Sequence, residues 1–367
     1  MSKIFVRADG NAIIGIGHLM RTMAVMDQLK GKTEITYLCA MEESVECLRQ
    51  KGWNAICLQT PPERMEEELA KLKSIFEETN CRNLLIVDNY NVTDDYLKAL
   101  DRWCDVLLFD DLGEHVFPVR GIVNYHCYVD QNWYEAHYPE ARLFLGAGYV
   151  PLRAQFTAPD TEAFCQKPDE AEDLCRKDLC RMADGAEIHV LLTTGGGDSE
   201  NIGGRILEKI YRENVMFHWI LGPFSPNLPF AKAFAEKRTN VIIESNVEDM
   251  AALMRKCSLA ITAGGSTIYE LWATRLPMIA FSYAENQEKL VRFVGENVCG
   301  FDAGAYDRNP AECLENIKKY FETAISNPEI ISRFSYNAWK LSDGRGAWRL
   351  AGSIMEWLNC LNCSCNF

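Results

Sequence analysis

Short apolar runs alternate with helical patterns along the whole chain. Residues 3–8 (KIFVRA), 34–39 (EITYLC), 54–58 (NAICL), 84–88 (LLIVD) and 105–110 (DVLLFD) read as strands, with amphipathic stretches such as 19–30 and 63–78 between them. Strands separated by helix-length segments predict βαβ units around a parallel sheet. The runs ending at Ala8, Cys39, Asp88 and Asp110 are apolar at consecutive positions, as strands buried on both faces are.

The pattern breaks over residues 161–187, a polar and acidic stretch. It then resumes with 188–198 (IHVLLTTGGGD), 217–222 (FHWILG), 240–244 (NVIIE), 259–265 (LAITAGG) and 277–281 (PMIAF), each followed by a helical pattern. The expected fold class is therefore α/β, with two Rossmann-like, doubly wound domains. They are placed at 1–160 and 188–340, with a linker at 161–187. Residues 341–367 remain as a loop bearing Gly344 and Gly346, a helix to Leu358 and a tail.

Composition narrows the function classes. With 38 Lys and Arg against 52 Asp and Glu in 367 residues, the net charge is −14, spread along the chain. Such a surface repels phosphate backbones and anionic lipid, so neither nucleic acid nor a membrane surface is an expected partner. No apolar run reaches the length of a membrane span, and charges interrupt the first residues where a signal peptide needs an apolar core. A soluble cytoplasmic protein is expected. The 15 Cys are odd in number and mostly single within apolar runs, which predicts reduced thiols. Cys360, Cys363 and Cys365 crowd the C-terminus but lack a fourth ligand, so no metal is expected there.

In doubly wound domains ligands collect at the carboxyl ends of strands. After the first strand, Gly15 and Gly17 precede a helical pattern, with His18 at its start. A dinucleotide fingerprint fails here because Met20 stands where the third glycine belongs. The positive end of a helix disfavours an imidazolium, so His18 is expected to be uncharged and suited to general-base work. Asp88 and Tyr90 follow the fourth strand, and Asp110 and Asp111 the fifth, on the same rim as His18. Thr93 instead reads as a helix cap.

In the second half, Gly195 and Gly196 follow one strand and Gly264, Gly265, Ser266 and Thr267 another. Both are phosphate-sized nests, the second furnished with hydroxyls and a following helix. Neither matches the P-loop pattern. One turn on, Glu270 can accept both hydroxyls of a ribose. Asn286 and Gln287 add a polar cluster at the same edge. The combination describes one domain that holds a nucleotide diphosphate and another that presents a base.

These motifs occur in a fixed order: R-x-D-x(5)-G-x-G-H-x-x-R from Arg7 to Arg21, D-x-Y at 88–90, DD at 110–111, GGGD at 195–198, AGGSTIYEL from 263 and AENQ from 284. The series resembles the UDP-sugar hydrolase family of the pseudaminic acid pathway and its spore-coat polysaccharide relatives, which are similar to glycosyltransferases of MurG type and GT-B fold. The resemblance covers about residues 3–300 and the D-G-R-G-A of 343–347. It implies two Rossmann-like domains across a cleft and a final helix that crosses back onto the first. The implied reaction is metal-free and cofactor-free hydrolysis of a UDP-diacetamido-trideoxy sugar at its anomeric carbon. On that pattern His18 is the base, with Asp88, Tyr90 and Asp111 beside it as catalytic residues. Arg7, Asp9, Gly15, Gly17, Arg21, Gly195, Gly196, Gly264, Gly265, Ser266, Thr267, Tyr269, Glu270, Asn286 and Gln287 are expected to bind substrate. The same site in a glycosyltransferase would serve a soluble acceptor instead of water, and a sugar-nucleotide binding module would need no His18.

Overall fold

All five residues of strand β1 (Ile4–Ala8) are buried, and its parallel neighbours are β2 (Ile35–Cys39) on one side and β4 (Asn83–Asp88) on the other. That double burial accounts for the mostly apolar composition of these segments. The structure is a computed structural model that describes residues 2–10, 16–79, 81–157, 187–195, 198, 200–222, 225–245 and 247–364. Of the stretch read as a linker, Glu187 alone falls among them.

The chain divides into two units, residues 1–153 with 345–367, and residues 154–344. In the first, β3 (Ala55–Cys57), β5 (Cys104–Phe109), β6 (Gly121–Asn124) and β7 (Arg142–Leu145) complete a parallel seven-stranded sheet of order β3-β2-β1-β4-β5-β6-β7. Helices α1 (Gly17–Asp27), α2 (Glu42–Gln50), α3 (Leu69–Glu77), α4 (Asp94–Leu100) and α5 (Gln131–His137) lie between strands. On one face of the sheet Phe5, Leu85, Val87, Val106 and Leu108 pack against Leu72 and Phe76 of α3 and Leu97 and Leu100 of α4. Each such side chain contributes about 1.5–3 kcal/mol through burial. Thr93 caps α4, its hydroxyl accepting the Tyr96 N–H at 3.2 Å, as the sequence suggests.

The second unit holds β8 (Ile188–Thr193), β9 (Val215–Leu221), β10 (Val241–Ser245), β11 (Leu259–Ala263), β12 (Met278–Ser282) and β13 (Phe301–Ala305). They form a parallel sheet of order β10-β9-β8-β11-β12-β13. Its helices are α6 (Ile202–Ile210), α7 (Leu228–Glu236), α8 (Met250–Lys256), α9 (Thr267–Ala273), α10 (Glu285–Glu296), α11 (Pro310–Ser326) and α12 (Pro328–Leu341). Val190, Leu192, Phe217, Trp219, Ile261 and Phe281 form its core with Ile206, Ile317 and Phe321.

Helix α13 (Gly346–Ser364) belongs to the first unit. Trp357 anchors it: the indole N–H donates to Asp105 Oδ2 at 2.8 Å and the ring lies under the Arg142 guanidinium at 5.0 Å. Gly346 is required at its start, because a Cβ there would sit 2.2 Å from the Val150 carbonyl oxygen. Strands β6, β7 and β13 are absent from the sequence reading. β6 and β7 have four residues each, with apolar stretches of three residues at most, and β13 (FDAGA) carries Asp302 and Gly304 inside it, so none shows a long apolar run. No disulfide joins cysteines among the described residues, and Cys39, Cys104, Cys257, Cys299 and Cys313 are buried.

Candidate functional site

In the first sheet the strand order reverses between β1 and β4, and the loops that leave these two strands flank the switch point where ligands of doubly wound sheets bind. His18 stands in the first turn of α1 after β1. Asp88 ends β4, Tyr90 follows it, and Asp111 follows β5. Adjacent strands thus bring together residues up to about a hundred positions apart.

The side chains interlock. His18 Nδ1 lies 2.6 Å from Asp88 Oδ1. A carboxylate only accepts, so Nδ1 carries a proton, and in the neutral ring Nε2 then keeps its lone pair. Arg21, one turn beyond His18 on α1, donates through Nε to Asp88 Oδ2 at 2.6 Å and through a terminal nitrogen to Asp88 Oδ1 at 2.5 Å. Its other terminal nitrogen reaches both Asp111 oxygens at 2.9 Å and the Tyr125 hydroxyl at 2.7 Å. The Tyr90 hydroxyl donates to Asp111 Oδ2 at 2.6 Å, and the Tyr90 ring meets that of His18 edge-on at 4.9 Å.

Burial and charge set the proton positions. Burial pulls the Asp111 carboxyl up, but the Arg21 charge and the Tyr90 hydrogen bond outweigh it and hold it below the usual carboxylate range. Burial and the neighbouring Asp111 push the Tyr90 phenol up, so it stays a donor. The Tyr125 phenol is pushed up to about 12, mainly by burial. His18 is part-exposed and Tyr90 is 60% exposed, so the array opens to solvent on the His18 side.

Several expected substrate contacts have other occupations. Arg7 is fully buried. Its guanidinium donates to Glu68 at 2.8 and 2.5 Å and pairs with Asp9, while Asp9 also accepts the Ala40 N–H at 2.9 Å. Thr60 and Tyr96 complete the shell of Glu68. An internal ion cluster ties the end of β1 to the short 3-10 helix Met65–Glu68, and neither Arg7 nor Asp9 is presented to a ligand. Arg21 was expected to bind substrate, yet it is an interior clamp between two carboxylates. Asp110 closes a turn by accepting the Leu112 and Gly113 N–H groups and the Tyr134 hydroxyl. Gly17 faces open space. Gly15, Gly196, Gly197 and Cys365 lie outside the described residues. Tyr125 and His126, which follow β6, were not singled out from the sequence. His126 Nε2 lies 3.6 Å from Asp111 Oδ1, and the polar Tyr-His-Cys-Tyr run after the apolar 121–123 is the signal that could have found them.

In the second sheet the switch point lies between β8 and β11. After β8, Gly195 adopts a left-handed φ of 75° and is exposed, its N–H donates to the Thr193 hydroxyl at 3.4 Å, and a Cβ on it would lie 3.7 Å from the Tyr283 hydroxyl. Asp198 turns inward, accepting the Ile202 and Gly203 N–H groups and the Thr194 hydroxyl, and so caps α6. After β11 the two glycines differ. A Cβ on Gly264 would lie 2.6 Å from Val291 Cγ2 and 3.0 Å from the Gln287 carbonyl oxygen, so this glycine lets α10 pack closely. Gly265 has nothing within 4 Å and is the glycine that leaves room for a ligand. Ser266 is exposed and makes no capping bond to α9. Glu270 is one turn further on and part-buried. Tyr269 was expected at the ligand but is buried edge-on against Trp272 at 5.2 Å, because its position on α9 faces the core. Gln287 Oε1 accepts the Tyr283 N–H at 3.0 Å, which fixes the start of α10, and Asn286 is exposed. Among the described residues no group of three or more His, Cys, Asp or Glu is arranged to hold a metal ion, and no helix is long and apolar enough to cross a membrane.

No protein-family model matches the chain. It is similar to the spore coat polysaccharide biosynthesis protein SpsG of Bacillus subtilis, at 24% identity over 367 residues, covering 95% of this chain and 96% of that protein. It is also similar to the UDP-2,4-diacetamido-2,4,6-trideoxy-beta-L-altropyranose hydrolase of Campylobacter jejuni, at 22% identity over 299 residues, covering 80% of this chain and 96% of that enzyme. Among solved structures, MurG of Acinetobacter baumannii superposes with a TM-score of 0.66 at 12% identity, covering 97% of this chain and all of that one. The fold is that of the GT-B glycosyltransferases, as the sequence resemblance implies.

Proposed function

We propose that the protein is a nucleotide-sugar hydrolase that releases UDP and a free diacetamido-trideoxy sugar by water attack at the anomeric carbon, in nonulosonate or surface-polysaccharide biosynthesis. The observation that carries the reading is the His18 imidazole held by Asp88 at Nδ1, with Nε2 left as a base. The similarity to the Campylobacter hydrolase supports the choice of substrate.

In this reading the attacking water gives its proton to His18 Nε2 as its oxygen bonds to the anomeric carbon. The carbon–oxygen bond to the diphosphate breaks, and UDP leaves with the bonding electrons. Asp88 stabilises the imidazolium that forms, and Arg21 fixes the carboxylate that does so. Asp111 holds the other side of Arg21 and orients the Tyr90 hydroxyl beside the base. The second unit takes the nucleotide. The N–H groups around Gly265, Ser266 and Thr267 receive the diphosphate at the gap that Gly265 leaves, and Glu270 accepts the ribose hydroxyls.

The test is to incubate the protein with UDP-activated acetamido sugars in EDTA without an acceptor and to follow the anomeric signals by NMR. Free sugar and UDP in equal amounts support the reading. Intact substrate that is consumed only when a sugar acceptor is added would make the protein a transferase. Calorimetry with UDP in EDTA tests the nucleotide site separately, and Glu270→Ala should weaken that binding.

A further inference from the structure

At the amino end of β13, on the edge of the second sheet away from the loops that follow β11 and β12, a pocket of about 550 Å³ opens among α10, β13, α11 and α12. Its size lies within the range of roughly 300 to 1,000 Å³ common for small-molecule sites. One wall is aromatic. The Phe301 ring stacks on Tyr320 at 4.5 Å with 7° between planes, and meets Phe334 edge-on at 4.8 Å.

The other wall is polar and uncommitted. Glu329 and Arg333 stand one turn apart on α12, a spacing at which helical ion pairs form, yet neither has an ion-pair or hydrogen-bond partner among the described residues. Asn327 accepts the Ile330 N–H through Oδ1, and Asp302 accepts the Gly304 N–H through Oδ1, so each keeps one polar atom to offer. The rim carries strain as well. Val298, a β-branched residue, is held at a φ of 53°, with its carbonyl bound by Asn337 Nδ2 at 2.9 Å. Such conformations are strained and gather at functional sites.

We propose that this pocket binds a neutral saccharide. Its lining offers donors (Arg333, Asn327) and acceptors (Glu329, Asp302) side by side, and sugar hydroxyls, which both donate and accept, can hydrogen-bond to both sets. An anion would face Glu329 and Asp302, and a cation would face Arg333. The apolar face of a pyranose ring covers the aromatic wall. This site goes beyond the hydrolase reading and does not depend on it. β13 has five residues, so the pocket lies about 16 Å along the strand direction from the carboxyl edge at which UDP is proposed to bind.

The test is saturation-transfer NMR on the full chain with glucose, rhamnose, N-acetylglucosamine, maltose and chitobiose, each with and without saturating UDP, on the wild type, Arg333→Ala and Glu329→Gln. Both side chains are exposed, and thermal melting verifies that the variants fold. The proposal expects saturable transfer from at least one sugar, unchanged by UDP and weakened roughly tenfold or more in Arg333→Ala. Transfer from none of them, displacement by UDP, or full binding by Arg333→Ala overturns it. Failure of UDP to bind at all would count against the hydrolase reading and would leave the Arg333→Ala comparison decisive for the pocket.

Discussion

His18 Nδ1 and Asp88 Oδ1 lie 2.6 Å apart although 70 positions separate them, and the same carboxylate receives two donors from Arg21. The imidazole is thereby fixed in orientation and tautomer before any ligand arrives. Asp88→Asn presents an amide that can donate to Nδ1 and so favours the wrong tautomer. Turnover is expected to fall by roughly 10² to 10⁴, the scale of general-base catalysis, while UDP affinity measured by calorimetry stays unchanged.

Asp111 gives a pH dependence with a defined sign. Its carboxyl is held below the usual range, so the array contributes stability above the unfolded carboxylate value of about 3.9 and loses it as pH falls through the folded value. Asp111→Asn should therefore be less stable than the wild type at neutral pH, with the gap closing between about pH 5 and pH 2. Urea unfolding across that range measures it. A gap that widens on acidification would contradict the assignment.

The buried cluster of Arg7, Asp9 and Glu68 is expected to matter for stability alone. Glu68→Ala leaves the Arg7 guanidinium without its bidentate partner inside the protein and should cost about 3 to 5 kcal/mol in denaturant unfolding. The fraction that remains folded should keep its affinity for UDP.

The two glycines after β11 should separate cleanly. Gly264→Ala drives a methyl into Val291 and the α10 backbone, for a stability loss of about 1–3 kcal/mol. Gly265→Ala meets open space and should melt like the wild type, yet weaken UDP binding because its methyl occupies the proposed diphosphate position. Thermal melting and calorimetry on the pair check both halves.

Much of this was legible in the sequence because burial on both faces leaves a continuous apolar run. β1, β4 and β5 announce themselves, and the residues at their carboxyl ends, His18, Asp88, Tyr90 and Asp111, follow from them. What spacing cannot show is which partner a charged residue takes. Arg7 precedes Asp9 in a motif that reads as a ligand contact, but its bidentate partner Glu68 lies 61 positions away in a segment that reads as an amphipathic helix. Gly264 and Gly265 are alike in sequence and differ because α10 crosses one of them. Tyr125 and His126 were missed because β6 is too short to mark the end of a strand.

The central claim is that His18 removes a proton from water, and the most direct measurement compares turnover and UDP affinity in His18→Asn with the wild type. The account predicts a fall in turnover of roughly 10² to 10⁴ with UDP affinity nearly intact. Wild-type turnover, or a loss of UDP binding as severe as the loss of activity, would contradict it.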